Sequence, residues 1–142
     1  MELICRPVKN TFELSKCMEI RRKVFVEEQA LFKVTDQDEY DKKAIHIVAI
    51  ADGKPVGTVR VYEQEKGIWY GGRLAVLKEY RGNIGRFLVK KAETIVRQKK
   101  AKRFLAYIQD RNISFFESLG WKKIEGPLNY MGKMHYLMEA RL

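Results

Sequence analysis

Acidic residues are the scarcer charge in this chain. Eighteen stand against 28 lysines and arginines in 142 residues, a formal net charge of +10. Such a field favours anionic partners, whether nucleic acid or an anionic cofactor, and it also serves plain solubility. Cysteine is nearly missing. Cys5 and Cys17 alone make no disulfide framework. Cys17 falls on an apolar helical face and reads as packed, so a reducing cytoplasm is the expected compartment. No apolar run approaches the length of a membrane span, and no membrane partner is expected. Met1–Arg6 offers no charged leader ahead of an apolar core, so no export signal is expected either. Zinc-ligand spacing, an aromatic ribonucleoprotein strand motif and a low-complexity basic tail are all missing. The lysines and arginines at 90–103 therefore read as a solvated face, and nucleic acid is not the expected partner. The carboxylates Asp36, Asp38, Glu39 and Asp41 lack the glycine and terminal glutamate of a calcium loop, so no metal is expected.

What is present is a globular composition. Apolar residues make up 46% of the chain, and its length fits one domain, residues 1–142, with a sizeable core. Its most informative stretch runs from Gly71 to Val89. Leu74–Leu77 is an apolar run of strand length, Lys78–Gly82 is polar and turn-like, and Ile84, Leu88, Val89, Ala92, Ile95 and Val96 recur at helical spacing. The first N–H groups of a helix have no partner inside it, and the helix dipole adds partial positive charge there. Glycine lets a phosphate approach the backbone, and Arg81 and Arg86 add full charges on either side. Such a corner suits a pyrophosphate.

This segment resembles motif A of the GNAT superfamily of N-acetyltransferases, which holds the pyrophosphate of acetyl-coenzyme A. The family pattern is Arg or Gln, two residues, Gly, one residue, then Gly or Ala. Counting from Arg81 puts the two small positions on Ile84 and Arg86; counting from Tyr80 puts them on Asn83 and Gly85. The loop is thus one residue short. Asn83 tolerates a positive φ and is expected to stand in for a glycine.

Two further segments carry the same resemblance. Arg21-x-x-Val24-Phe25-x-x-Glu28-Gln29 is similar to the second-helix signature of a bacterial branch, shared loosely with acyl-homoserine-lactone synthases. Gln109–Trp121 resembles motif B, where Asn112 opens a short helix that ends in an aromatic-Glu-x-Leu-Gly-aromatic run, closed by Gly120. Phe116 occupies the place of the family's frequent tyrosine acid, and a phenyl ring has no proton to give. Phe115 and Phe116 pack either in the core or on the cofactor; the sequence does not choose.

Read in order, Leu3–Val8 is a strand. A helix over 11–29 follows, N-capped by Asn10 with Glu13 and broken near Arg21–Arg22. The acidic stretch 31–43 reads as a solvated loop. Strands at 45–50, 55–62 and 68–77 form an antiparallel meander through the Asp52–Gly53 and 64–67 turns. The helix 83–99 crosses over to a parallel strand at 102–109. Strands at 121–125 and 134–142 finish the chain, joined by a loop over 126–133. The expected fold is α/β (α+β): one mixed, mostly antiparallel twisted sheet flanked by helices, with a parallel pair splayed to admit a ligand.

The resemblance implies acetyl-coenzyme A as co-substrate and direct transfer to a primary amine of a small molecule or peptide. It places the pantetheine on Leu74, Ala75 and Val76. It places the pyrophosphate on Arg81, Gly82, Asn83, Ile84, Gly85 and Arg86, with Asn112, Phe115 and Phe116 lining the cofactor. For the base, His46 suits proton abstraction near neutrality, since imidazole changes charge there; Glu28 is the other candidate. Tyr107 is a candidate acid. The ordinary readings stand beside these: His46 as a packed residue, Glu28 as a solvated one, and His135 as structural. Rival readings are an acyl-homoserine-lactone-synthase-like acyltransferase, a non-catalytic coenzyme A binder, and, from charge alone, a nucleic-acid module. The acceptor and the assembly, monomer or homodimer, stay open.

Overall fold

A computed structural model describes residues 2–142. Among these residues seven strands make one sheet in the order β1-β2-β3-β4-β5-β7-β6. They are β1 (Leu3–Pro7), β2 (Ile45–Ala51), β3 (Lys54–Glu65), β4 (Ile68–Val76), β5 (Arg103–Gln109), β6 (Lys122–Tyr130) and β7 (Lys133–Glu139). Three α-helices pack on it: α1 (Thr11–Arg21), α2 (Ile84–Gln98) and α3 (Ile113–Ser118). Every strand pair is antiparallel except β4–β5. This is the expected mixed sheet with its single parallel pair. Among the described residues no helix is long and apolar enough to cross a membrane.

Local chemistry explains the elements. The Asn10 side chain accepts the Glu13 N–H at 2.9 Å, and the Glu13 carboxylate accepts the Lys9 N–H at 2.8 Å. That is a capping box shifted by one residue on its return arm. α1 ends at Arg21, where the ladder loosens into a seven-residue π-helical stretch, Arg22–Glu28. The break lies where the sequence places it, and such stretches recur at functional sites. The β2–β3 turn takes left-handed φ at both Asp52 (48°) and Gly53 (83°), the conformation a two-residue hairpin needs.

Gly57 and Thr58 reveal which helix covers which face. A Cβ at Gly57 would stand 3.1 Å from Leu88 of α2, whereas the neighbouring Thr58 faces Cys17 of α1. Side chains alternate along a strand, so α1 and α2 lie on opposite faces. The core under α2 is built from Leu88, Val89, Ala92 and Val96 against Ile47, Val59 and Val61, and continues to Phe104, Phe116 and Trp121.

Two expectations need correction. The 126–133 stretch is not a loop. β6 continues to Tyr130 and pairs with β7 up to Tyr130↔Lys133, leaving only Met131–Gly132 as a turn. Pro127 fits in this strand because β6 is the sheet's edge, where a missing N–H goes unnoticed. Nor is the acidic stretch 31–43 wholly a solvated loop: Glu39 is exposed, but Asp36 is buried and Asp38 and Asp41 are half-buried, with partners described below.

Candidate active site

The β4–β5 pair separates soon after it begins. Only Ile68–Tyr70 register with Arg103–Leu105. Both strands continue, β4 to Val76 and β5 to Gln109, so the β4 edge beyond Tyr70 has no partner on that side. The base of the fork is held tight: a Cβ at Gly71 would lie 2.9 Å from the Phe104 ring. Above it β4 bulges, because Thr58 and Arg60 of β3 register with Ala75 and Gly72, which puts one extra residue on β4. Arg73 stands in the bulge with φ 52°. The result is a cleft of about 150 Å³ between the two strands, lined by β4, β5, the π-helical stretch and α2, and reaching Asn112 and Phe116.

The carboxyl end of β4 leads to the predicted phosphate corner. A short 3₁₀ turn, Lys78–Tyr80, precedes Arg81 and Gly82. Gly82 takes φ 149°, a region that favours glycine, whereas Asn83 sits at φ −81°. The expected positive φ at Asn83 is therefore corrected: Gly82 performs the reversal and Asn83 is ordinary helical entry. No side chain caps the first turn of α2, so its orphan N–H groups are open. A Cβ at Gly82 would meet nothing within 4 Å, and at Gly85 only the Phe115 ring at 3.9 Å. The corner is thus an uncapped, glycine-lined helix start.

Arg81 is engaged. It donates to both oxygens of Glu28, one at 2.7 Å, and its Nε donates to the Val76 carbonyl at 3.2 Å. Hydrogen bonding from Arg81 holds the Glu28 carboxyl below its usual range. Glu28 therefore bridges the π-helical stretch to the corner. Leu74 lines the cleft, Ala75 and Val76 are buried on its unpaired edge, and Ile84 is core. Phe116 is buried edge-on against Phe115 and Trp121, so it belongs to both the core and the cleft wall.

The catalytic candidates are dispersed. His46 is buried and does not line the cleft. Its Nε2 lies 2.9 Å from the Asp41 carbonyl and donates to it, while Nδ1 is sealed in without a partner. Burial lowers its pKa, and the Asp41 carbonyl only partly opposes this. Tyr107, by contrast, lines the cleft and is 40% exposed.

Sequence reading missed the cluster at the bulge. Arg21 binds Asp36 (2.6 Å) and Asp41 (2.8 Å), Arg60 binds Asp38 (2.6 Å) and Asp41 (2.8 Å), and Arg73 binds Asp38 at 3.2 Å and the Asp36 carbonyl at 2.9 Å. Burial alone would raise the Asp41 carboxyl. Hydrogen bonds from Arg21, the Asp38 N–H and Arg60 outweigh it and hold the group well below the carboxylate range. Three arginines face three aspartates, so the cluster is neutral. The signal was an acidic loop in a basic chain, but the partners lie on three separate elements. Among the described residues no group of His, Cys, Asp and Glu is placed to hold a metal.

This fork, with an uncapped helix start at its mouth, defines the class. The chain belongs to the Acetyltransferase (GNAT) family, whose pattern matches residues 14–121. It is 32% identical over 133 residues, 89% of this chain and 88% of the other, to a Bacillus subtilis (strain 168) protein named "Putative acetyltransferase". The structure of Escherichia coli ElaA superposes with a TM-score of 0.85 at 20% identity, covering 99% of each chain. PaiA N-acetyltransferase of Thermoplasma acidophilum, solved with coenzyme A, superposes with a TM-score of 0.74 at 19% identity over 100% of both chains. The chain is thus an acyltransferase of the GNAT family, and acetyl-coenzyme A is the family's co-substrate.

Proposed function

We propose that the protein is an acetyl-coenzyme A-dependent N-acetyltransferase that acetylates a primary amine of a small molecule or peptide by direct attack. The observation that carries this reading is the β4 edge left unpaired beyond Tyr70, which leads straight to the uncapped start of α2. An unpaired strand edge satisfies an amide-bearing arm as another strand would, and free helix N–H groups satisfy a diphosphate.

On this reading Leu74, Ala75 and Val76 hold the pantetheine by their backbone groups. The N–H groups from Gly82 to Arg86, with the Arg81 and Arg86 charges, hold the pyrophosphate. Gly85 keeps that approach clear, and Asn112, Phe115 and Phe116 flank the arm. An N–H of the unpaired edge stabilises the oxyanion that forms when nitrogen adds to the thioester carbon. Tyr107, the cleft-lining hydroxyl of β5, gives its proton to the departing thiolate in place of Phe116. His46 and Glu28 serve as supports, the one for the Asp41 backbone and the other for Arg81. Much of the rate then comes from holding the amine and thioester together.

The test is a melting-temperature screen with acetyl-coenzyme A, followed by an amine panel read by free-thiol release. A melting temperature raised by acetyl-coenzyme A, with thiol released only when an amine is present, is the expected outcome. No shift at millimolar acetyl-coenzyme A would overturn the reading.

A further inference from the structure

On the α1 face, tyrosines stack across the mouth of the fork. Tyr40 lies on Tyr62 at 4.6 Å, Tyr62 on Tyr70 at 6.2 Å, Tyr70 on Tyr107 at 6.0 Å and Tyr107 on Tyr130 at 5.2 Å, with ring planes within 10–23°. The row ends where Tyr130 meets the His135 ring edge-on at 5.0 Å. Tyr62, Tyr70, Tyr107, Tyr130 and His135 all line the cleft. None of these tyrosines belongs to the hydrophobic core. A half-exposed file of rings on an open cleft is a surface for a ligand.

His135 differs from His46 in the way that matters for proton transfer. Its Nδ1 lies 2.9 Å from the Lys133 carbonyl, which accepts only an N–H, so Nδ1 carries the proton and Nε2 keeps its lone pair. His135 is as buried as His46, but its Nε2 has no protein partner and its ring lines the cleft. The groups facing the ring are Gln109 and Tyr107 of β5 and Leu128 and Tyr130 of β6, with Lys133 two residues away on its own strand. The tyrosines and Lys133 are the titratable ones among them.

The charge of the wall restricts the guest. Among the described residues no aspartate or glutamate lines the cleft, and its only permanently charged lining groups are Arg60 and Arg73, already matched by the aspartates. An ammonium brought here loses its water and finds no carboxylate, and the Tyr40 and Tyr62 faces that could hold it by cation–π attraction already carry Lys43 and Arg60. An alkylammonium like that of lysine, with a pKa of about 10.4, is about 0.1% neutral near pH 7.4, whereas an arylamine is neutral throughout this range.

We propose that the tyrosine row and His135 form the acceptor subsite, that His135 is the catalytic base, and that the acceptor is a weakly basic amine carried on a planar aromatic body. This rests on the acetyl-transfer reading above. The amine nitrogen adds to the thioester carbon and the C–S bond breaks. The proton lost from nitrogen passes to His135 Nε2, and the thiolate takes one from Tyr107, which solvent restores.

The experiment uses the full chain, acetyl-coenzyme A and three amines: p-anisidine, 2-phenylethylamine and spermidine. Thiol release gives kcat/KM, and calorimetry gives acetyl-coenzyme A affinity separately. The expected order is p-anisidine, then 2-phenylethylamine, then spermidine, with at least a hundredfold between the first and the last. A preference for spermidine would overturn the acceptor class while leaving acetyl transfer standing; failure to bind acetyl-coenzyme A would overturn both. His135→Gln is expected to lower kcat about a hundredfold, to abolish the acid limb of the pH–rate profile and to leave acetyl-coenzyme A affinity within twofold. An unchanged profile would remove His135 as base. Tyr130→Leu, which keeps the His135 imidazole but removes the ring packed on it, is expected to raise KM for p-anisidine about tenfold and not that for spermidine; equal effects on both would overturn the aromatic wall.

Discussion

The buried cluster around Arg60 and the exposed corner around Arg81 are both rich in arginine, yet they do different work. Arg60 is 3% exposed and its charge is matched by Asp38 and Asp41. Arg81 is half exposed and has one carboxylate, Glu28. In the first place, removing a partner strands a buried charge. In the second, water and salt take over at little cost. The cluster therefore ties the β4 bulge to the acidic stretch, while the corner, on the proposed function, keeps its charge for an anion.

The largest effect should come from breaking the first region. Arg60→Ala takes from Asp38 its two-bond partner and from Asp41 one of its two arginines, and is expected to cost about 3–5 kcal/mol, read by urea unfolding at pH 7. Acid should erode the same cluster. The folded Asp38 and Asp41 carboxyls sit below their ordinary values, despite burial, because of the arginine hydrogen bonds. Their contribution is present above the unfolded pKa of about 3.9 and is lost as pH falls through the folded values. Unfolding free energy measured at pH 7 and pH 3 should drop for the native chain and drop less for Asp41→Asn.

The corner should respond in binding rather than in folding. Gly85→Glu places a carboxylate at the start of α2 with room to stand, since only Phe115 is near. It is expected to weaken coenzyme A binding about tenfold to a hundredfold, the scale of a hydrogen bond to a charged group, with little loss of melting temperature; unchanged affinity by calorimetry would move the phosphate elsewhere. The smallest effect belongs to Glu28→Gln. Releasing Arg81 from an exposed pair should change stability by less than about 1 kcal/mol and tighten coenzyme A binding a few-fold at low salt. A collapse of kcat instead would restore Glu28 as base.

The comparison also shows where sequence reading stops. The corner was legible because its parts are contiguous: a strand, Gly82, and the helix spacing from Ile84 to Val96 lie within one stretch. Even there the detail shifted, since Gly82 rather than Asn83 takes the positive φ. The cluster was not legible, because Arg21, Asp36, Asp38, Asp41, Arg60 and Arg73 come from a helix, a loop and two strands. His135 was read as structural, with no cleft in view, for the same reason. Nothing near it in the chain announces a cleft, and only the β5–β7 pairing brings it beside Gln109 and Tyr107.

Periodicity, turn residues and caps act over a few neighbours. They were enough, from the chain alone, to define the strand and helix order, the Asp52–Gly53 reversal, the break after Arg21 and the parallel crossover. Charge compensation, burial and the accessibility of a lone pair depend on atoms far apart in sequence. Only the packed sheet could decide that the acidic stretch is neutralised inside the protein, that His46 is sealed, and that His135 faces the cleft.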